Sequence, residues 1–234
     1  MSCCIVTIDL DWSCEASIEQ TLDFFHTKHI PVTVFTTHHS KIIDQLFYTL
    51  DIGLHPYFGE DSSHGSTIAK VVEYVMDLPH NMAAFRCHRF ASCNASKQAM
   101  QAEGMLLSSN MCTDLEMISP FRDRFGLLEV PIFLEDGGYL WNKHPLNMHA
   151  KLKNALQAED IKVLLIHPMH FVLNTPHFNY MYEIKQSMSR SQWTHRTGQQ
   201  LNALRWKGDG IRNLIIDVIN HTDAFSSLRY FLKN

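Results

Sequence analysis

The 234-residue chain is short of most signals that announce a partner. It has no excess of basic charge: 20 Lys and Arg stand against 24 Asp and Glu, a net charge of -4. The basic residues are scattered, which excludes a general binder of nucleic acid or anionic membrane, because neutralising phosphates needs clustered Lys and Arg. No apolar run approaches the roughly 20 residues that span a bilayer, and no basic leader with an apolar core opens the chain. None of the six cysteines, Cys3, Cys4, Cys14, Cys87, Cys93 and Cys112, forms a C-x-x-C pair. Reduced thiols and a cytoplasmic location are the expectation. The nucleophile elbow G-x-S-x-G, the P-loop and the dinucleotide-binding glycine fingerprint are missing, so those catalytic classes have no foothold. There is no internal repeat, low-complexity tract or linker. One domain over 1–234 is expected, with C-terminal helices from about residue 179 packed on it.

What the chain does have is core material and histidine. Hydrophobic residues make up 45%, charged ones 19%, and there are 15 histidines. Short apolar runs alternate with amphipathic segments. Ile5–Leu10, "PVTVFTT", Asp51–His55, "MAAFRCH", "MLLSS", "GLLEVPIF" and "IKVLLIH" read as strands. Ser17–His29, Lys41–Leu50, Thr67–Met76, Ala95–Ala102 and Leu146–Gln157 read as helices, and the tail adds helices at Tyr180–Ser189, Ile211–Asn220 and Phe225–Leu232. This alternation implies an α/β fold with a parallel sheet, open or closed into a barrel.

Four of the apolar strands end in residues able to bind a metal or move a proton: Asp9 and Asp11, His55, Arg86 with His88, and His167. In parallel α/β folds the active site lies at the carboxyl ends of the strands. Side chains alternate along a strand, so Asp9 and Asp11 are expected on one face. Two carboxylates there repel, and a cation beside them relieves the repulsion. Taken alone, Asp11 ahead of a helix is also an ordinary N-cap. A Gly- and Ser-containing loop returns His64 toward His55, and a carboxylate with two imidazoles suits zinc or another divalent transition metal. His167 or His170 could serve as a general acid, since imidazole changes charge near neutral pH; His170 fits a packing role equally well. Arg86 could neutralise a carboxylate at the strand ends. Cys87, between Arg86 and His88, has no base placed to activate it.

In order, "TIDLDW", "IGLH" with "SSHG", "FRCHRF" and "LLIH" resemble the motifs of the polysaccharide deacetylases, the NodB-like carbohydrate esterases. The phrases "IGLHPYF", "FRCHRF", "FLEDGGYL" and "HPMHFVLNT" look most like the WbmS-like branch, associated with surface-polysaccharide biosynthesis. The resemblance runs from Val6 to at least His170. It implies a distorted, incomplete (β/α)7 barrel. It implies Asp9 as general base, Asp11, His55 and His64 as metal ligands, Arg86 as the partner that positions Asp9, and His167 as general acid. His88 is the substitute for His64. Glu135 and Asp136 match the acidic motif before the last strand, and Trp12, Tyr57, Phe58, Phe90, Tyr139 and Trp141 are candidates to stack on a sugar face. The implied activity is metal-dependent removal of an N-acetyl group from a sugar, sugar nucleotide or glycan, with Zn2+ first and Co2+, Ni2+ or Mn2+ as alternatives. Two other readings stand beside it: a metallohydrolase of another amide or ester, and a catalytically silent carbohydrate-binding relative. Oligomeric state has no signature in the sequence.

Overall fold

A computed structural model describes residues 3–233. Ten strands are formed among the described residues: β1 (Cys3–Asp9), β2 (Val32–Thr36), β3 (Asp51–Leu54), β4 (Ala84–Phe85), β5 (Leu107–Ser108), β6 (Phe121–Arg122), β7 (Leu128–Glu129), β8 (Leu134–Glu135), β9 (Ile161–Ile166) and β10 (Ala224–Ser226). The order across the sheet is β6-β7-β5-β4-β3-β2-β1-β9-β8, with β10 added beside β1. Every pairing is parallel except β6 with β7. The sheet curls into a half-barrel with helices on its outer face. No helix among the described residues is long and apolar enough to cross a membrane.

The pleat of β1 explains how the layers divide. Cys4, Val6, Ile8 and Leu10 pack outward in one core with Ile18, Leu22 and Phe25 of the Glu15–Thr27 helix and with Leu214, Ile215 and Val218 of the Ile211–Asn220 helix. The alternate residue Ile5 points inward, among Phe35, Ala84, Leu107, Ile132, Val163 and Leu165. Thr7 and Asp9 follow Ile5 on that inner side, so the lumen turns polar toward the strand ends. Gly53 permits the curl at β3. A Cβ there would lie 2.7 Å from the Ala84 carbonyl oxygen and 2.8 Å from the Phe35 ring.

Three expectations from the sequence are corrected. The run "GLLEVPIF" is not one strand. Pro131 lacks the N–H a ladder needs, and the chain bends there, pairing with β5 through β7 and with β9 through β8. This bent run therefore spans the gap between two distant strands of the half-barrel. The Lys41–Leu50 helix stops at Gln45. Phe225–Leu232 is not an α-helix: Ala224–Ser226 forms β10, and a 3-10 turn follows at Leu228–Leu232. Tertiary pairing decides that case. β10 lies along Cys3–Ile5, and β2 takes over from Val6 onward. Beyond β10, Leu228 is fully buried in the lumen core, its N–H donating to Thr33 Oγ1 at 3.2 Å.

The tail thus completes the interior core. Leu228→Ala is expected to cost about 2–5 kcal/mol of stability, the range for a fully buried leucine. Urea unfolding measures it, and a loss below about 0.5 kcal/mol would show the tail to be peripheral.

Candidate active site

The carboxyl ends of β1, β3, β4 and β9 meet at the mouth of the half-barrel. Asp9 is the last residue of β1, but Asp11 lies beyond it, in a turn where Asp11 and Trp12 adopt φ of 45° and 53°. Strand alternation therefore does not set their relation, as the sequence had suggested. Nor does Asp11 cap the following helix, whose N-cap is Cys14. The two carboxylates are instead bridged by the His55 ring, with Nε2 at 2.9 Å from Asp11 Oδ1 and Nδ1 at 3.5 Å from Asp9 Oδ2. His55 is fixed by its own N–H, which donates to the Thr36 carbonyl at 2.9 Å, continuing the β2–β3 ladder.

His88 joins the same carboxylate. The chain leaves β4, turns through a 3-10 segment at His88–Phe90, and places Arg89 and Phe90 at φ of 54° and 55°. The His88 N–H donates to the Pro56 carbonyl at 2.8 Å, tying this turn to the loop after β3. Its Nδ1 then lies 3.0 Å from Asp11 Oδ1. Donor atoms of Asp11, His55 and His88 all fall within 4.8 Å of one another, a spacing that could hold a metal ion. His64 is not in this group. Its Nδ1 accepts the Tyr57 N–H at 3.1 Å, and its ring stacks on Tyr74 with centroids 4.6 Å apart. The nine-residue return of the 55–64 loop is spent on buttressing Tyr57. Tyr57 and Trp12 are both in edge contact with the His88 ring. Burial pushes the His64 imidazole down to about 4, which suits a neutral packing role.

Arg86 lies inside the lumen with no exposed surface. One terminal nitrogen donates to Asp9 Oδ1 at 2.8 Å and to Thr7 Oγ1 at 2.9 Å. The other donates to Ser109 Oγ at 2.8 Å, and Nε donates to the Ser109 carbonyl at 3.0 Å. The guanidinium also sits over the Phe35 ring, 4.5 Å from its centroid. The expected Arg86–Asp9 pairing is thus present and fully enclosed.

The pairing between Asp136 and His167 was not legible in the sequence. Asp136 is completely buried at the start of the Asp136–Trp141 helix. Its Oδ2 accepts the His167 backbone N–H at 2.7 Å, and its Oδ1 lies 2.6 Å from His167 Nδ1. This fixes the ring with Nδ1–H toward Asp136 and Nε2 toward the cleft, 3.3 Å from Asp11 Oδ2. Burial alone would hold the His167 imidazole down, but the Asp136 and Asp11 carboxylates raise it well above the usual histidine range. Burial likewise works against ionised Asp11, yet His167 and the contacts from His55 and His88 take it well below the usual carboxylate range. Glu135 lines the cleft beside this pair, and burial, more than its neighbours, pushes its carboxyl up. His170 is buried, 3.1 Å from Thr175 Oγ1 through Nδ1, and burial takes it down to about 4. Cys87 is fully buried and its thiol is pushed up by that burial, a poor nucleophile.

Above these groups is a cleft of about 1000 Å³. One wall carries Trp12, Tyr57, His88 and Phe90, and the other is built by residues 178–194, including Phe178, Tyr182 and Trp193. Phe58, Tyr139 and Trp141, also candidates for sugar stacking, do not line it.

The model of the WbmS-like polysaccharide deacetylase family matches residues 6–185 of the chain. No curated protein matches it. Among solved structures, the fold is similar to the WbmS protein of Bordetella bronchiseptica, ascribed polysaccharide deacetylase activity in O-antigen biosynthesis. The TM-score is 0.81 at 18% identity, covering 94% of this chain and 90% of that one. A protein of Mycobacterium smegmatis, ascribed polysaccharide deacetylase activity, gives a TM-score of 0.55 at 15% identity, covering 99% of this chain and 89% of that one.

The Asp136–His167 contact predicts a titration. In metal-free protein, Asp136→Asn removes one of the two carboxylates that hold a proton on His167, so its pKa falls. Imidazole C–H resonances followed by NMR against pH check this, and an unmoved titration would remove Asp136 as the cause.

Proposed function

The chain belongs to the WbmS-like polysaccharide deacetylases, and from that premise we propose that it hydrolyses an N-acetyl group on a sugar, sugar nucleotide or glycan with the help of a divalent metal. The observation that carries this is the convergence of one carboxylate and two imidazoles, Asp11, His55 and His88, between an arginine-held aspartate and an aspartate-held histidine.

The donor set fits a hydrolytic zinc site, for which three nitrogen and oxygen ligands with an open position are the usual pattern. Co2+, Ni2+ and Mn2+ accept the same donors. His55 supplies an internal check on the fit. Its buried Nδ1 has no hydrogen-bond partner among the described residues and lies 3.5 Å from Asp9 Oδ2, so the tautomer protonated at Nδ1 would turn the Nε2 lone pair toward the ligand group. A bound ion supplies Lewis acidity to the acyl carbonyl and to the attacking water.

The remaining chemistry falls to the chain. Arg86 holds Asp9 through Oδ1, and Oδ2, 3.5 Å from His55 Nδ1, is the oxygen with capacity to accept the proton of the attacking water. Asp136 holds the His167 Nδ1–H, so Nε2 is the atom presented to the leaving nitrogen. The Asp136 carboxylate, paired with Nδ1–H, favours the protonated ring, which suits it to protonate the departing amine. Trp12 and Tyr57 form the aromatic side against which a sugar face would lie.

Acetate release is the direct test. Metal-loaded protein is expected to liberate acetate from at least one N-acetylated sugar or sugar nucleotide in a panel with Zn2+, Co2+, Ni2+ and Mn2+. Release only from other amides or esters, or none with metal bound, overturns the reading. Asp9→Asn should keep the metal and lose at least about 100-fold in kcat, the low end for a general base. His88→Ala should weaken metal binding by more than the roughly 10–100-fold that loss of a ligand's hydrogen-bond partner costs. His64→Ala should leave metal affinity within a few-fold. Calorimetric titration reads both, and the reverse order would restore His64 as the ligand.

A further inference from the structure

The floor of the cleft is acidic, whereas farther out basic side chains outnumber the one exposed carboxylate of the lining, Asp61. Asp9, Asp11 and Glu135 line the floor. Each of the two aspartates already has cationic or imidazole partners: Asp9 holds Arg86, and Asp11 contacts His55, His88 and His167. Farther out, three basic side chains line the same cleft: Arg89, Lys185 and Arg190. The ion pairs made by lysine and arginine among the described residues engage Arg86, Lys97, Lys151 and Arg229. None of them engages these three.

Two of the three are nonetheless held in place. Lys185 Nζ lies 4.4 Å from the centroid of the Trp193 ring, and the Arg190 guanidinium lies 5.7 Å from that of Trp12. Both indoles line the cleft. A cation over an aromatic face is positioned without being neutralised. The acidic neighbour on the same helix, Glu183, is not a cleft residue and sits 3.8 Å from His177 instead. In a chain of net charge -4, three basic side chains gathered here outside the ion pairs of the described residues, with Asp61 as the one exposed carboxylate of the lining and Asp11 on the floor facing Lys185, are a local reversal. The cleft volume, at the upper end of what encloses a drug-sized ligand, also leaves room for more than one sugar ring.

We propose that the N-acetylated sugar taken by this cleft carries an anionic substituent, a phosphoryl group or a carboxylate, and that Lys185 and Arg190 select it. With the acyl group at the acidic floor, the substituent reaches the wall formed by residues 178–194. There the Arg190 fork can take two oxygens and Lys185 acts as a point charge. The inference rests on the deacetylase reading only for the identity of the sugar.

The test compares three probes, N-acetylglucosamine, its 1-phosphate and its uronate, binding to the full chain by calorimetry. One anionic probe is expected to bind at least about tenfold more tightly than the neutral sugar, as for a charged hydrogen bond. The advantage should shrink at high salt. Preference for the phosphate or for the uronate identifies the group. Lys185→Gln and Arg190→Gln should each reduce the advantage about three- to tenfold, whereas Lys185→Arg should preserve it. Equal affinity for all three probes, no binding of any, or an anionic preference untouched in both glutamine variants overturns the proposal. Acetate release without any anionic preference would sink this inference alone. Anionic preference without acetate release would sink the deacetylase reading and leave this one standing.

Discussion

The ion pair between Arg86 and Asp9 is the constraint on which the rest of the site depends. Arg86 has no exposed surface and Asp9 almost none. Its guanidinium joins Thr7 and Asp9 of β1 to Ser109, just past β5, while its own backbone N–H donates to Leu54 of β3. Burying two charges is expensive, and a well-packed apolar pair can serve stability equally well. What the pair supplies is position. It fixes the register of strands whose next residues line the candidate site, and removing either partner would leave the other charged and stranded in the lumen.

From that anchor, charge alternates across the floor. Arg86 meets Asp9 at 2.8 Å, Asp9 meets His55 at 3.5 Å, His55 meets Asp11 at 2.9 Å, Asp11 meets His167 at 3.3 Å, and His167 meets Asp136 at 2.6 Å. Each anion lies between two cationic or imidazole neighbours, except at the buried Asp136 end. This row keeps three acidic side chains in a small volume from disrupting the fold. It also means that no single residue has its charge state set locally: Asp136 leads the rise at His167, Asp11 adds to it, and His167 in turn leads the lowering at Asp11.

The strand ends were readable from the chain because apolar β-rich runs stop abruptly at Asp9, His55, Arg86 and His167, and a parallel sheet sends such ends to one edge. What escaped depends on backbone that no periodicity encodes. Asp11 reaches His55 through two left-handed residues, and His88 reaches Asp11 because Arg89 and Phe90 turn the same way. Loop spacing alone could not rank His64 against His88. Asp136 was visible as an acid but not as the partner of His167, since 31 residues and a helix separate them. The tail was misread because the Phe225–Leu232 segment has apolar residues at intervals compatible with a helix, and only the open position beside β1 makes the start of it a strand.

That last pairing bears on how the polypeptide is born. β1 is the most connected strand of the sheet, bordered by β9, β2 and β10. Its first residues come before every other strand of the sheet in chain order, yet they find their neighbour in Ala224–Ser226, and Cys4 Sγ rests 3.4 Å from Thr222 Oγ1 across 218 residues of chain. Until that distant segment has been synthesised, the central strand carries an unpaired edge, and the nascent sheet is open to the wrong partner. Contacts so remote in sequence also close slowly. The innermost strand of the barrel is therefore begun first and finished last.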